Sequence, residues 1–153
     1  HFASKDDLVV DAIAQMFDEA IDTFDRLTAG KPPAAALNSY IDFYLSARHR
    51  DARDTGCPMP TLSADLPRLG QPARRRFAQG VAALTGAVAG LLSALGIEDA
   101  ESLAGSAVAE MVGALALARG AADAKHSNTI LARSRHSLKQ RLGLADPDGA
   151  SPP

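Results

Sequence analysis

Four histidines, one cysteine and two tyrosines are the side chains of this 153-residue chain best suited to acid–base, nucleophilic or metal chemistry, and their spacing builds none of it. His1, His49, His126 and His136 lie far apart, without the Glu-x-x-His pairs of metal-binding helical bundles or the His-Glu-x-x-His of zinc hydrolases. They read as solvated surface histidines. No Gly-x-Ser-x-Gly elbow and no Gly-rich phosphate loop with Lys is present, and Cys57 has no recognisable base in the sequence. Neither an enzyme nor a metal or other cofactor is expected. Cys57 stands in a Gly-Cys-Pro turn. There an accessible thiol would sense electrophiles or oxidants, whereas a buried one would only pack a neighbouring short helix. Arg74, Arg75 and Arg76 are adjacent on a helical pattern and so point in different directions, which rules out a flat phosphate-reading strip.

The composition bounds the rest. Hydrophobic residues make up 46% and charged residues 22%, enough to bury a core in a single domain. Sixteen basic against eighteen acidic side chains give a net charge of -2, so no global positive field draws the chain to nucleic acid. One cysteine excludes an intrachain disulfide, and no secretory signal pattern opens the chain; the cytoplasm is the expected compartment. Apolar stretches such as 82–95 are broken by Gly, Thr and Ser, and no membrane span is expected.

Prolines cluster at 32–33, 58–60, 67–72 and 147–153, and the long intervals between them carry helical periodicity. A first helix is predicted from an N-cap at Ser4 to Gly30, with Val9, Ile13, Met16, Ala20, Phe24 and Leu27 on one face. A second opens at Pro33, presents Leu37, Tyr40, Ile41, Tyr44 and Leu45, and runs into the charged segment 48–54. One short helix is expected over 61–66. A third long helix from Ala73 carries the seam Phe77, Val81, Leu84, Val88, Leu91 and Leu95 and closes at Gly96.

The fourth helix, 100–122, is crowded with Ala and Gly, which makes it weak in isolation. Its larger residues spread around more than one face, so it is expected to pack on its own core and on a second subunit. A fifth, 128–142, sets Ile130, Leu131, Ser134 and Leu138 beside it, with Arg133, Arg135, Lys139 and Arg141 toward water. Residues 146–153 read as a disordered tail. The chain is therefore expected to be all-α, with about five long helices and one short, and no strand.

Three segments add a resemblance. His1-Phe2-Ala3-Ser4-Lys5-Asp6-Asp7-Leu8 resembles the junction between the helix-turn-helix and the connecting helix in tetracycline-repressor (TetR) type transcription factors. Gly56-Cys57-Pro58-Met59-Pro60-Thr61-Leu62 is similar to the segment before that family's short sixth helix. Glu110 to Arg119, followed by Ile130-Leu131, resembles its dimerisation helices. The resemblance implies that residues 1–5 are the end of a DNA-binding head whose first three helices are missing. Residues 6–145 would then be a ligand-binding and dimerisation domain. His1 and Lys5 would contact DNA phosphates without reading bases. Val108, Val112, Leu115, Ile130, Leu131, Ser134 and Leu138 would form the interface of a homodimer.

The same resemblance implies a small-molecule effector, expected to be lipophilic, bound among the middle helices and releasing operator DNA. Phe17, Tyr40, Phe43, Tyr44, Phe77, Met59, Met111, Leu62 and Cys57 are its candidate contacts. Tyr offers an apolar ring with a hydroxyl handle, and Met an adaptable wall. The competing reading is a stand-alone helical dimerisation or scaffold module without an effector.

Overall fold

In the computed structural model, which describes residues 3–144, the chain is all-helical, with no strand among the described residues. Its helices are α1 (Lys5–Thr28), α2 (Pro33–Tyr44), α3 (Ala47–Asp51), α4 (Pro58–Leu62), α5 (Gln71–Ala94), α6 (Ala100–Arg119) and α7 (Ala124–Arg141), with a 3₁₀ turn at Leu66–Arg68. His1 and the expected tail at 146–153 fall outside the described residues.

Local chemistry sets most of these limits. Ser4 caps α1 by accepting from the Asp7 N–H at 3.2 Å while its hydroxyl donates to the Asp7 carboxylate at 3.0 Å. Gly30, at φ +70°, takes the left-handed turn that follows the helix. The expected second helix does not run through the charged segment. Ser46 ends it, donating to the Phe43 carbonyl at 2.6 Å and accepting from the His49 N–H at 3.1 Å, and so starts a separate helix, α3. The short helix lies earlier than expected, at 58–62, because Pro58 occupies its first position; the later prolines allow only the 3₁₀ turn. Asp123 caps α7 through the His126 N–H at 2.8 Å, starting it four residues before the expected Asn128.

The core lies between α1, α2, α5, α6 and α7, where Phe17, Leu37, Leu84, Leu92, Leu115 and Leu138 are buried. α1 packs chiefly on α5, and the closest approach is at Gly80, where a Cβ would sit 2.2 Å from the Phe17 ring. Phe17 also meets Phe77 edge-on, with centroids 5.4 Å apart. Within α6, Gly105 and Gly113 each weaken the helix by about 1 kcal/mol, and burial of Met111 and Leu115 contributes about 2 kcal/mol apiece. Packing therefore holds α6 together.

Two expectations about exposure are corrected. Lys139 does not face water: it is 6% exposed, its Nζ 2.7 Å from the Asp42 carboxylate. Arg135 is half-buried, donating to the Leu45 carbonyl at 3.1 Å with Asp42 3.9 Å away. Together they fasten α7 to the end of α2. The apolar stretches also meet the length criterion they were expected to miss. α5 and α6 are each long and apolar enough to cross a membrane, with mean hydropathies of 1.5 and 1.3, because their Ala and Gly dilute few charges. Both nevertheless give one face to the core, and a bundle helix buried on one side meets the same test.

Candidate functional site

A small pocket opens where α1, α2 and the turn from α3 to α4 meet. Met16, Glu19, Ala20 and Thr23 come from α1, Tyr40, Phe43 and Tyr44 from α2, His49 from α3, and Thr55, Gly56 and Cys57 from the turn. On both long helices the lining residues recur at steps of three and four, which puts each set on one face. The pocket measures ≈ 30 Å³, room for about two waters or one small polar group.

Its floor is a cluster of buried polar side chains. Tyr40 packs edge-on against Phe24, with centroids 4.8 Å apart, and Tyr44 lies 5.9 Å from Tyr40. The Tyr44 hydroxyl is buried beside the Cys57 thiol, a weak partner, and completes no hydrogen bond of good geometry within the protein. Burial pushes the pKa of both tyrosines well above the usual phenol range, and the neighbouring Cys57 adds to the effect. Burial likewise raises the Cys57 thiol. All three groups stay protonated and neutral at ordinary pH.

His49 corrects the expectation of a solvated histidine: it is 3% exposed and forms one wall of the pocket. Its Nδ1 lies 2.8 Å from the Tyr44 carbonyl, and its Nε2 accepts from the Cys57 backbone N–H at 3.0 Å. That pair of partners places the proton on Nδ1. The ring stacks on Phe43 at 4.9 Å and meets Tyr44 edge-on at 4.7 Å. Burial, with a smaller contribution from nearby Arg119, lowers its pKa, while the bond to the Tyr44 carbonyl raises it.

Arg119, at the end of α6, ties this corner down from behind. Its Nε donates to the Arg50 carbonyl at 3.0 Å, its Nη2 to the His49 carbonyl at 3.3 Å and its Nη1 to the Thr61 hydroxyl at 3.5 Å. Gly56 fits only as glycine: a Cβ there would lie 2.6 Å from the Ala52 carbonyl oxygen, 3.1 Å from Arg119 Nη2 and 3.2 Å from His49 Nε2.

The chain matches no family model and no curated protein.

Of the candidate contacts read from the sequence, Tyr40, Phe43, Tyr44 and Cys57 meet in this pocket. Phe17, Met59 and Met111 are buried elsewhere in the core and Leu62 is half-buried; none of them lines it. Phe77 instead borders a wider, solvent-open groove along α5 that runs to Ser93 and Glu101. Sequence reasoning missed Glu19, Thr23, His49 and Thr55. Met16 and Thr23 share a helical face with Ala20, a signal available in the periodicity, whereas nothing local announces His49 as buried. An accessible Cys57 thiol is not what the fold provides, since the residue is 7% exposed. Lys5 is exposed in the first turn of α1.

Among the candidate interface residues, Val108, Leu115, Leu131 and Leu138 are buried in the chain's own core and have no surface to offer a second copy. Val112, Ile130 and Ser134 are half-buried and keep some. The outward face of α6 instead consists of Gly105, Ala109, Val112, Gly113, Ala116 and Leu117, the last 66% exposed. Nothing lies within 4 Å of a Cβ built on Gly105 or Gly113. Among the described residues, no group of three or more His, Cys, Asp or Glu is placed to hold a metal ion.

Proposed function

We propose that this chain is the regulatory and dimerisation domain of a cytoplasmic TetR-type transcription factor, in which a small molecule in the α1/α2 pocket releases operator DNA. The observation that carries this reading is the composition of the pocket wall. Four lining residues come from α1, the helix whose first turn resembles the family's connection to the DNA-binding head. A ligand larger than the ≈ 30 Å³ available must displace that wall. It then favours whichever orientation of α1 gives it room, and differential affinity for two orientations is all that a switch requires.

Homodimerisation is supported by the small-residue face of α6. Backbones can approach closely along Gly105, Ala109, Gly113 and Ala116, while Leu117 and the half-buried Ile130 and Ser134 of α7 would complete the contact. The unused breadth of this surface is what a second copy would cover. Lys5 and the N-terminus of α1 would meet phosphates once a head is attached.

Two measurements test the reading. Sedimentation equilibrium of the 153-residue chain should give twice its 15.9 kDa mass, and a single-chain mass at every concentration would overturn the dimer. The reading frame upstream of His1 should encode a basic helix-turn-helix. With that segment restored, the protein should select specific DNA from a random pool and release it when the pocket is filled. A dimer that selects no DNA would leave the scaffold module as the better account.

A further inference from the structure

The effector reading leaves the chemistry of the effector open, and the charges around the Tyr44 hydroxyl narrow it. Tyr44 is 1% exposed and lines the pocket, and its buried hydroxyl completes no hydrogen bond of good geometry, having only the weakly bonding Cys57 thiol beside it. A buried hydroxyl without a partner costs about 1–3 kcal/mol, so its position favours a ligand that can satisfy it. The Tyr40 hydroxyl and Cys57 thiol beside it are further neutral O–H and S–H donors, kept protonated by burial.

Charge on the ligand is opposed from both ends. Arg119 stands behind the floor, close enough to interact with Tyr44 and Cys57, and disfavours a cation there. It does not line the pocket, and three of its five N–H groups are already held by the His49 and Arg50 carbonyls and the Thr61 hydroxyl, which keep it behind the floor and away from an anion. At the mouth, the exposed Glu19 carboxylate adds a negative charge that opposes an anion on its way in. The walls left for the ligand body are the rings of Tyr40 and Phe43, with Met16.

We infer that the pocket takes a neutral, flat ligand whose carbonyl-type oxygen accepts a hydrogen bond from the Tyr44 hydroxyl. This inference rests on the effector reading above. The ≈ 30 Å³ of space holds the carbonyl group alone. The body then lies in the mouth between Glu19 and Thr23 of α1 and Thr55 of the turn, and spreads the two apart.

The chain supplies its own reporter. It has two tyrosines, both lining the pocket, so protein labelled with ¹³C on the tyrosine rings gives signals from this site alone. Three probes of one size separate the classes: acetophenone (neutral carbonyl), benzoate (anion) and benzamidinium (cation). Acetophenone should shift both sets of ring signals, and Tyr44→Phe should weaken it about tenfold without lowering the melting temperature. Tighter binding of benzoate or of the cation would overturn the neutral-ligand assignment while sparing the effector site. Equal affinity for acetophenone in Tyr44→Phe would overturn the hydroxyl as the anchor. Silence toward all three probes would overturn the pocket as a ligand site, and the effector reading with it.

Discussion

Nε2 of His49 accepts a hydrogen bond from the backbone N–H of Cys57 at 3.0 Å, joining α3 to the turn that closes the pocket. With Nδ1 already committed to the Tyr44 carbonyl, the imidazole is used at both nitrogens as a neutral base. A second proton would turn the Nε2 acceptor into a donor facing an N–H and add a charge near Arg119.

The folded pKa of His49 is therefore depressed below its ordinary 6.5, chiefly by burial. As pH falls below about 6.5, the unfolded chain takes up a proton that the folded chain refuses, so stability falls until the folded pKa is reached and levels off below it. Urea unfolding between pH 8 and pH 5.5 should show that decline. His49→Gln should be less stable at pH 8 by about 2 kcal/mol and should lose this part of the pH dependence. An identical slope in the variant would remove His49 as its source.

Tyr44→Phe should be stabilising, an unusual result for a residue at the centre of a bundle. The substitution keeps the ring against Tyr40 and His49 and deletes only a buried hydroxyl that completes no hydrogen bond of good geometry, with the weak Cys57 thiol beside it. A gain of about 1 kcal/mol in thermal or denaturant unfolding is expected, since a stranded polar group costs more than its loss. A loss of that size would mean that the hydroxyl is satisfied in the ligand-free protein. Stability given up at one side chain is a usual mark of a binding position.

Cys57 should resist thiol reagents in the folded protein. It is 7% exposed and burial raises its pKa, so both access to it and its thiolate fraction are low. Reaction with a disulfide reagent at pH 7.5 should run at least about a hundredfold slower than in urea. Labelling at the free-thiol rate would show that the turn opens readily and would revive a sensing role.

The long helices were legible because their signals are local. Ser4 with Asp7 announces the start of α1, Gly30 and Gly96 take positive φ where the helices stop, and the 3.6-residue pattern identifies the inward faces of α1, α2 and α5. Part of the pocket was legible for the same reason, since Tyr40, Phe43 and Tyr44 share a face of α2. What stayed hidden depends on partners distant in sequence. His49 reads as one more polar residue in a charged run until Cys57 and Tyr44 close around it. Lys139 and Arg135 look solvated until Asp42, some ninety residues earlier, meets them. Val108, Leu115, Leu131 and Leu138 were apolar enough for an interface, but the two helices turn those residues inward together. Periodicity gives each helix an apolar face without saying which neighbour covers it.

Gly80 marks where α1 and α5 touch most closely, and Gly80→Ala should be costly. Its Cβ would lie 2.2 Å from Cγ of Phe17, and a ring held between two helices has little room to retreat. A loss of about 2–3 kcal/mol is expected. Phe17→Leu in the same chain should recover part of it, and a double-mutant cycle with no coupling would place the damage elsewhere.

Asp42 and Lys139 are unequal partners, and their variants should differ accordingly. The Lys139 side chain is 7% exposed whereas Asp42 keeps 45% of its surface, so the lysine bears most of the desolvation while the acid supplies the compensating charge. Asp42→Asn removes the charge that faces the buried ammonium, weakens the nearby Arg135 contact and should cost about 2 kcal/mol, below the cost of breaking a fully buried pair because water still reaches the acid. Lys139→Met fills similar volume without a charge to compensate and should lie within about 1 kcal/mol of the parent. The order of the two melting temperatures is the check. If Lys139→Met were the more damaging variant, the ion pair itself, rather than relief of a buried charge, would hold α7 to α2.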